Sequence, residues 1–239
     1  MLQNKKILAL IPARSGSKRI PNKNTALLRR KPLLAYSIHA GLQSKYIDDV
    51  YVSSDSTDIL GIAQSFRAKT IKRPKKLATD TAQTIDVQKH ALATLERRGS
   101  IYDYMVVLQP TSPIRTSQDI DGAIEQLFRD KNDILISVSE SPYPPELMMY
   151  LRNNKAHFYG TKHLTDVRKQ ALPTYYVING SIYIQKREVI LRTRAYPFVP
   201  NRTSIYVMPK YKSIDIDTVE DLFLTEAIMG KAAKIARSL

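Results

Sequence analysis

The chain has 239 residues, no cysteine and a formal net charge of +15 at pH 7. This length suits one large domain, or one domain with an insertion, and the lack of cysteine excludes disulfides and thiolate metal sites. No apolar run approaches the roughly 20 residues of a membrane span, and the first residues lack a signal-peptide pattern. We therefore expect a cytoplasmic globular protein that does not bind membranes.

The positive charge is concentrated at one end of the chain. Residues 1–47 contain ten Lys and Arg residues and no Asp or Glu. Such a block attracts polyanions, so nucleic acid, an anionic membrane surface and a small phosphate-rich ligand are all candidate partners. The first two favour a basic face with exposed aromatics or an amphipathic basic helix. Here the cations lie in a loop that follows a strand, which favours the small ligand.

The first predicted element is a strand at residues 7–12, whose apolar residues indicate burial on both faces. The segment after it, residues 13–24, carries four cations, Gly16, two serines and two asparagines. A strand that leads into such a loop presents backbone N–H groups and fixed positive charge to phosphates. The loop lacks the glycine spacing of a P-loop or of a dinucleotide turn. On this stretch alone, a solvated basic loop remains the alternative.

Strands and helices then alternate along the chain. The pattern predicts helices at 32–44, 56–66, 86–97 and 117–129, and strands at 49–55, 70–72, 104–110 and 134–139. This order is typical of an α/β fold with a doubly wound, mostly parallel, Rossmann-like sheet. Ligands of such sheets bind beyond the carboxyl ends of the strands. We therefore expect four polar side chains after the 104–110 strand to face the same crevice as the basic loop: Gln109, Thr111, Ser112 and Arg115.

The alternation stops at residues 141–176, a segment that contains four prolines and six aromatic residues. A loop of this length inside a compact domain is usually functional or part of an interface. Its aromatic content argues against a disordered insertion. We predict an excursion that packs on a second subunit, inserted between the two parts of the core, 1–140 and 177–239.

Two further strands, at 177–184 and 204–208, precede the acidic segment 213–222, which opens a terminal helix. Asp215 and Asp217 alternate along an extended stretch, so both carboxylates point the same way. Two hard oxygen ligands on one side suit a Mg²⁺ ion that is shared with substrate phosphates. Asp217 would also serve as a helix N-cap. Because this alternative leaves Asp215 unexplained, we favour the metal site.

Four separated motifs now resemble one family. They are IPARSGSKRIPNKN at 11–24, RP…LATDTA at 73–82, LQPTSP at 108–113 and SIDIDT at 213–218. Together they resemble the acylneuraminate cytidylyltransferases, or CMP-sialic acid synthetases, in order from residue 7 to about residue 225. The resemblance implies a Mg²⁺-dependent homodimer that transfers CMP from CTP to the anomeric hydroxyl of a nonulosonic (sialic-type) acid and releases pyrophosphate. It also implies a role in cell-surface polysaccharide biosynthesis, and a sugar-binding part for the excursion.

Carried over by position, the resemblance assigns a role to each site residue. It implies nucleotide contacts at Ala13, Arg14, Lys18, Lys23, Asn24, Arg73, Ala82 and Thr84. It implies sugar contacts at Gln109, Lys169 and Asn179, with metal ligands at Asp215 and Asp217. It implies catalytic roles for Arg14, Lys23 and Asp217, of which Asp217 is the candidate acceptor of the hydroxyl proton.

The excursion departs from the pattern of the family. That family presents basic residues to the sugar carboxylate, whereas the matching positions here are Glu146 and Lys169, and Val177 replaces a polar residue. A lysine binds a carboxylate without the bidentate fork of arginine. The acceptor therefore stays open among sialic, pseudaminic, legionaminic and Kdo-like acids, and another nucleoside triphosphate is a further alternative. From a different class, a basic nucleic-acid-binding protein is supported only by the net charge.

Overall fold

A computed structural model describes residues 4–159, 172–194 and 198–235, with side chains as far as residue 231. The strands are β1 (Ile7–Pro12), β2 (Leu27–Leu28), β3 (Lys31–Pro32), β4 (Asp49–Ser54), β5 (Lys69–Lys72), β6 (Tyr104–Val107), β7 (Ile134–Glu140), β8 (Met149–Arg152), β9 (Lys155–Phe158), β10 (Tyr176–Lys186) and β11 (Thr203–Val207). The helices are α1 (Leu33–Leu42), α2 (Thr57–Ser65), α3 (Thr84–Arg97), α4 (Ser117–Asp130), α5 (Arg187–Arg192) and α6 (Val219–Ile235).

The central sheet has seven strands in the order β11-β7-β10-β6-β1-β4-β5. Neighbouring strands pair in parallel except at β10, which runs antiparallel to both β6 and β7. The predicted α/β fold with a mostly parallel sheet is therefore confirmed. The reversed direction of β10 was not predicted, because its apolar run gives no indication of direction.

Strand β1 lies inside the sheet and divides the core into two layers. Leu8 and Leu10 pack with residues of α3 and α5, whereas Ile7, Ala9 and Ile11 pack with residues of α1, α2 and α4. Successive side chains of a strand point to opposite faces, so a strand covered by helices on both sides is apolar throughout. This explains the uninterrupted apolar run at residues 7–11.

The parallel strands β1, β4, β5 and β6 bring the loops after them to one edge of the sheet. The antiparallel β10 reaches this edge near its middle, where its pairing with β7 shifts register between Ile178 and Tyr183. Gly180 lies in this irregularity with φ +73°, a conformation that glycine adopts without a side-chain clash. The irregularity thus places the backbone of residues 179–181 beside the loop after β6.

Several local predictions differ from the structure in detail. Helix α3 begins at Thr84 rather than at residue 86, and α4 is capped by Thr116, which forms a capping box with Asp119. The β2–β3 hairpin and helix α5 were not predicted, because two-residue strands and a six-residue helix are too short for a periodic signal.

The described part of the excursion forms a hairpin outside the central sheet. Within the part of the chain that the structure describes, strands β8 and β9 pair only with each other, and their residues are exposed. Large apolar side chains on this hairpin and on the adjoining start of β10 face solvent, including Met149, Leu151, Tyr176 and Ile178. An exposed apolar surface of this kind is typical of an interaction site.

Candidate active site

A cleft of about 470 Å³ opens at the carboxyl edge of the sheet. It is lined by the loop after β1, the connection between β5 and α3, the turn after β6 and the segment before α6. These segments bring together most of the predicted site residues: Arg14, Lys18, Lys23, Asn24, Arg73, Ala82, Thr84, Gln109 and Asp217. Residues separated by up to about two hundred positions in the sequence therefore form one site.

The basic loop is held in place by contacts at its base. The backbone N–H of Ser15 donates to Asp55 at the end of β4 over 2.9 Å, and the Ser15 hydroxyl donates to the same carboxylate. Asn24, which is buried, donates from Nδ2 to the carbonyl of Arg14 over 2.8 Å. Burial opposes ionisation of Asp55, but the bonds from Ser15 outweigh it and lower the pKa of this carboxyl. The loop is thus preorganised, so it loses little entropy on binding an anion.

Lys23 joins the basic loop to the acidic segment before α6. Its Nζ donates to the carbonyl of Ile216 over 2.8 Å and to Oδ1 of Asp217 over 2.9 Å. The other oxygen of Asp217 accepts from Arg19 over 2.7 Å. Lys23, and then Arg19, hold the pKa of Asp217 below its usual value. This carboxylate is therefore ionised at neutral pH, and a metal ion bound to it would share it with Lys23 and Arg19 or displace them.

Two other cations of the loop share one anion. Asp80, on the opposite wall of the cleft, accepts from Arg14 Nη1 and from Lys18 Nζ, each over 2.6 Å. These ion pairs are exposed, and pairs of this kind are weak in water. A ligand with several phosphate groups offers more negative charge than one carboxylate, so it is able to displace Asp80 from both cations.

The connection between β5 and α3 forms another wall. The Arg73 guanidinium is buried and donates to the carbonyl of Ser53 over 3.1 Å and to that of Leu77 over 3.3 Å. Burial lowers the pKa of Arg73, partly offset by the charge of Asp55. Ala82 and Thr84 line the cleft beyond it. This wall offers hydrogen-bonding groups in a partly enclosed space, as recognition of a planar base requires.

Gln109 lines the cleft at the turn after β6, and Gly180 and Asp215 lie close beside it. A Cβ atom at Gly180 would lie 3.2 Å from Oε1 of Gln109 and 3.6 Å from Oδ2 of Asp215. Burial raises the pKa of Asp215, against a hydrogen bond from Thr111, and the charge of Asp217 raises it further. A divalent cation beside both carboxylates would relieve this unfavourable charge, so the pair fits the predicted Mg²⁺.

The described residues contain no group of three or more His, Cys, Asp or Glu side chains able to hold a metal ion. A Mg²⁺ ion held by Asp215 and Asp217 therefore needs its other oxygen ligands from phosphates and water, which is the usual arrangement for this ion.

Some predicted residues occupy other positions. Ala13 is buried, and its N–H donates to the carbonyl of Ser53 over 3.0 Å. Asn179 is also buried: its Oδ1 accepts from Ser137 and from the Ser181 N–H, and its Nδ2 donates to Ser213. Its sugar contact stays a prediction, as does that of Lys169, which lies outside the described residues. Glu146 accepts a hydrogen bond from Tyr175 within the excursion.

The expectation that Ser112 and Arg115 face the crevice was wrong. Both side chains are buried beneath the turn after β6, and Arg115 binds main-chain carbonyls there. Side chains do not alternate regularly along a turn, so the spacing of residues after a strand does not reveal which of them point into the core.

Two residues that contribute to the site were given no role in advance, Asp55 and Asp80, whereas Arg19 was expected only as one of the four cations of the basic loop. Asp55 and Asp80 each follow a strand in a polar turn, and two acidic residues opposite a basic loop are a usable signal. Sequence reasoning gave weight to cations because phosphates bind them, and it overlooked the anions that hold those cations in place.

Comparison with known proteins identifies related sequences. The sequence profile of a family described as cytidylyltransferase matches residues 8–234. The N-acylneuraminate cytidylyltransferase of Escherichia coli is 36% identical over 228 residues, covering 95% of this chain and 52% of that protein. The pseudaminic acid cytidylyltransferase of Campylobacter jejuni is 34% identical over 219 residues, covering 91% of this chain and 93% of that protein. The chain thus spans about half the length of the first relative and nearly all of the second.

A solved structure shows the same fold. The CMP:2-keto-3-deoxy-manno-octonic acid synthetase complexed with CTP superposes with a TM-score of 0.69 at 19% identity, covering 95% of this chain and 99% of that one. Among the helices that the structure describes, none is both long and apolar enough to cross a bilayer.

Proposed function

The chain belongs to the cytidylyltransferase family, and we propose that it transfers CMP from CTP to the anomeric hydroxyl of a nonulosonic acid, releasing pyrophosphate. One observation carries the proposal: Arg14, Lys18 and Lys23 converge with Asp217 in a single cleft at the carboxyl edge of the sheet. This arrangement suits a nucleoside triphosphate and its divalent ion, because nucleotidyl transfer depends chiefly on positioning and on neutralising phosphate charge.

The basic loop binds the triphosphate in this proposal. Phosphate oxygens replace the Asp80 carboxylate as the partner of Arg14 and Lys18. Lys23 then lies between the phosphates and Asp217. The wall around Arg73, Ala82 and Thr84 receives the cytidine. The sugar hydroxyl oxygen then attacks the α-phosphorus in line, its proton passes to solvent, and the bond from the α-phosphorus to the bridging oxygen breaks. Pyrophosphate leaves with its charge stabilised by the loop cations.

Asp215 and Asp217 would hold the Mg²⁺ ion. When bound, this ion neutralises phosphate charge and orients the leaving group. We assign Asp217 to the metal rather than to the hydroxyl proton, because Lys23 and Arg19 lower its pKa and so weaken it as a base.

The acceptor is assigned only as a class. The two relatives named above act, by their names, on N-acylneuraminate and on pseudaminic acid, and their identities to this chain are close, at 36% and 34%. A nonulosonic acid is common to both. Gln109 and the backbone around Gly180 form the wall that would receive it, with Lys169 as the proposed partner of its carboxylate.

We also propose that the chain forms a homodimer through the excursion. Exposed apolar side chains on β8, β9 and the start of β10 would be covered by a second copy of the same surface. An isologous interface of this kind is the commonest arrangement in soluble oligomers. A reaction that consumes CTP is consistent with the cytoplasmic location that we expect.

The experiment is a pyrophosphate-release assay with each of the four ribonucleoside triphosphates and a panel of N-acetylneuraminic, pseudaminic, legionaminic and Kdo acids. We expect turnover with CTP and with at least one nonulosonic acid. Release with another triphosphate would change the nucleotide assignment, and retention of RNA at physiological salt without turnover would favour the nucleic-acid-binding alternative. Size-exclusion chromatography with light scattering tests the dimer.

A further inference from the structure

We propose that Arg115, buried behind the cleft, is a positioning residue that holds the acceptor-side wall in its working geometry. Its hydrogen bonds reach no side chain that is assigned to substrate. It instead binds the backbone of the two segments that form this wall, residues 109–111 and 179–181. The inference rests on the proposed function.

The contacts of Arg115 link three elements. Its Nη1 donates to the carbonyl of Ser181 over 2.7 Å and to that of Gln109 over 3.4 Å. Its Nη2 donates to the hydroxyl of Ser37 on α1 over 2.5 Å, and this hydroxyl donates in turn to the Gln109 carbonyl over 3.0 Å. One guanidinium thus ties α1, the turn after β6 and the irregular part of β10 together.

The two carbonyls that Arg115 binds belong to Gln109 and Ser181, which lie where the turn after β6 packs against β10. The side chain of Gln109 lies against Gly180, the neighbour of Ser181. The next residues of the turn hold the acidic segment, since the carbonyl of Thr111 accepts from the N–H of Ile216 over 2.8 Å. A shift of the turn relative to β10 would therefore move Gln109, Asp215 and Asp217 together.

The chemistry of Arg115 is unusual for a residue that only fills space. The residue is 3% exposed, and burial lowers the pKa of its guanidinium to about 9. The charge of Asp119 partly offsets this effect, but Asp119 forms its ion pair with Lys212, and among the described residues the Nε of Arg115 has no hydrogen-bond partner. An apolar residue would fill this volume without the cost of burying a charge. The planar fork of arginine, however, reaches two carbonyls and a hydroxyl at fixed angles.

The contacts on the nucleotide side are separate. The basic loop is anchored by Asp55 and Asn24, and the wall at Arg73 by Ser53 and Leu77. None of these bonds involves Arg115. Loss of the guanidinium should therefore affect the acceptor and the acidic segment while it spares the binding of CTP.

The test compares Arg115→Lys and Arg115→Met with Leu127→Ala, a control that destabilises the core from α4 without touching the cleft. At a temperature where all variants are folded, we expect the Arg115 variants to raise the KM of the acid sugar, or lower kcat, by about tenfold or more. The Kd of CTP measured calorimetrically without metal should stay within about twofold. Arg115→Lys should recover part of the loss, because it keeps the charge but not the fork.

Hydrogen exchange gives a readout that does not depend on activity. We expect faster exchange in peptides covering 109–112, 179–182 and 213–218 in Arg115→Met than in Leu127→Ala. Wild-type kinetics in both Arg115 variants, or losses that match those of Leu127→Ala in kinetics and exchange, would overturn the inference. If the wild-type protein releases no pyrophosphate with any acid sugar, the proposed function fails, whereas the exchange result still tests the link between these segments.

Discussion

The ammonium of Lys23 lies 2.9 Å from Oδ1 of Asp217, although 194 residues separate them. The contact joins the loop that would bind phosphate to the segment that would bind metal. Because Lys23 is only 16% exposed, solvent screens this pair less than it screens the other ion pairs of the cleft. Lys23 is therefore the residue whose loss should affect both halves of the site.

We expect Lys23→Ala to weaken CTP binding by roughly 10- to 100-fold, as for loss of a hydrogen bond to a charged group. The pKa of Asp217 should also rise, because Lys23 is the largest cause of its depression. Calorimetry measures the first effect, and a carboxyl-carbon NMR titration measures the second. Lys45→Ala, which removes an exposed cation away from the cleft, is the control. Equal effects of the two variants would contradict the role given to Lys23.

Asp80→Asn should strengthen CTP binding at low salt. Asp80 pairs with Arg14 and Lys18, and the triphosphate must replace it. The gain should shrink as salt rises, because the pairs are exposed. Titrations at two ionic strengths measure it, with Asp58→Asn as a matched removal of charge outside the cleft. Weaker CTP binding in Asp80→Asn would show that Asp80 contacts the nucleotide or its metal instead.

Asp215→Asn should abolish the effect of Mg²⁺ on the affinity for CTP. It should leave the affinity for CTP without metal nearly unchanged. Desolvation and the charge of Asp217 raise the pKa of Asp215, and a divalent ion compensates the charges of the two carboxylates best. The measurement is the ratio of the CTP dissociation constants with Mg²⁺ and with EDTA. This ratio should approach one in the variant and differ from one in the wild type. An unchanged ratio would remove Asp215 from the metal site.

The lowered pKa of Asp55 should make the stability of the folded protein depend on pH. Its pKa is lowered in the folded protein, so it contributes stability that is present above its unfolded pKa of about 3.9 and is lost as the pH falls through the folded value. Asp55→Asn should therefore be less stable than wild type at pH 7, and the difference should narrow below about pH 4. Urea unfolding at both pH values measures this. A difference that stays constant with pH would show that the stabilisation does not depend on ionisation of Asp55 and would contradict this account.

Much of the fold was predictable because its signals are local. The apolar run at 7–11 and the regular alternation of strands and helices fix a parallel sheet, and a parallel sheet fixes where its loops meet. The meeting of residues 13–24 with 109–111 followed from this rule, whereas the place of residues 73–84 in the site was expected only from the family resemblance.

The features that the sequence did not reveal depend on the direction of a strand or side chain and on contacts with residues distant in sequence. The reversed β10 places Gly180 against Gln109, and no feature of residues 176–186 states which way the strand runs. Arg115 was expected in the crevice because it follows a strand, but the turn after β6 directs it into the core. Asp80 and Asp55 were overlooked because their importance comes from cations distant in sequence.

The most direct test is a crystal structure of the protein with CTP and Mn²⁺, which gives an anomalous signal. We expect the triphosphate beside Arg14, Lys18 and Lys23, the cytosine against the wall at Ala82 and Thr84, and one anomalous peak touching both Asp215 and Asp217. A triphosphate bound away from the basic loop, or a metal peak that contacts neither aspartate, would contradict the account.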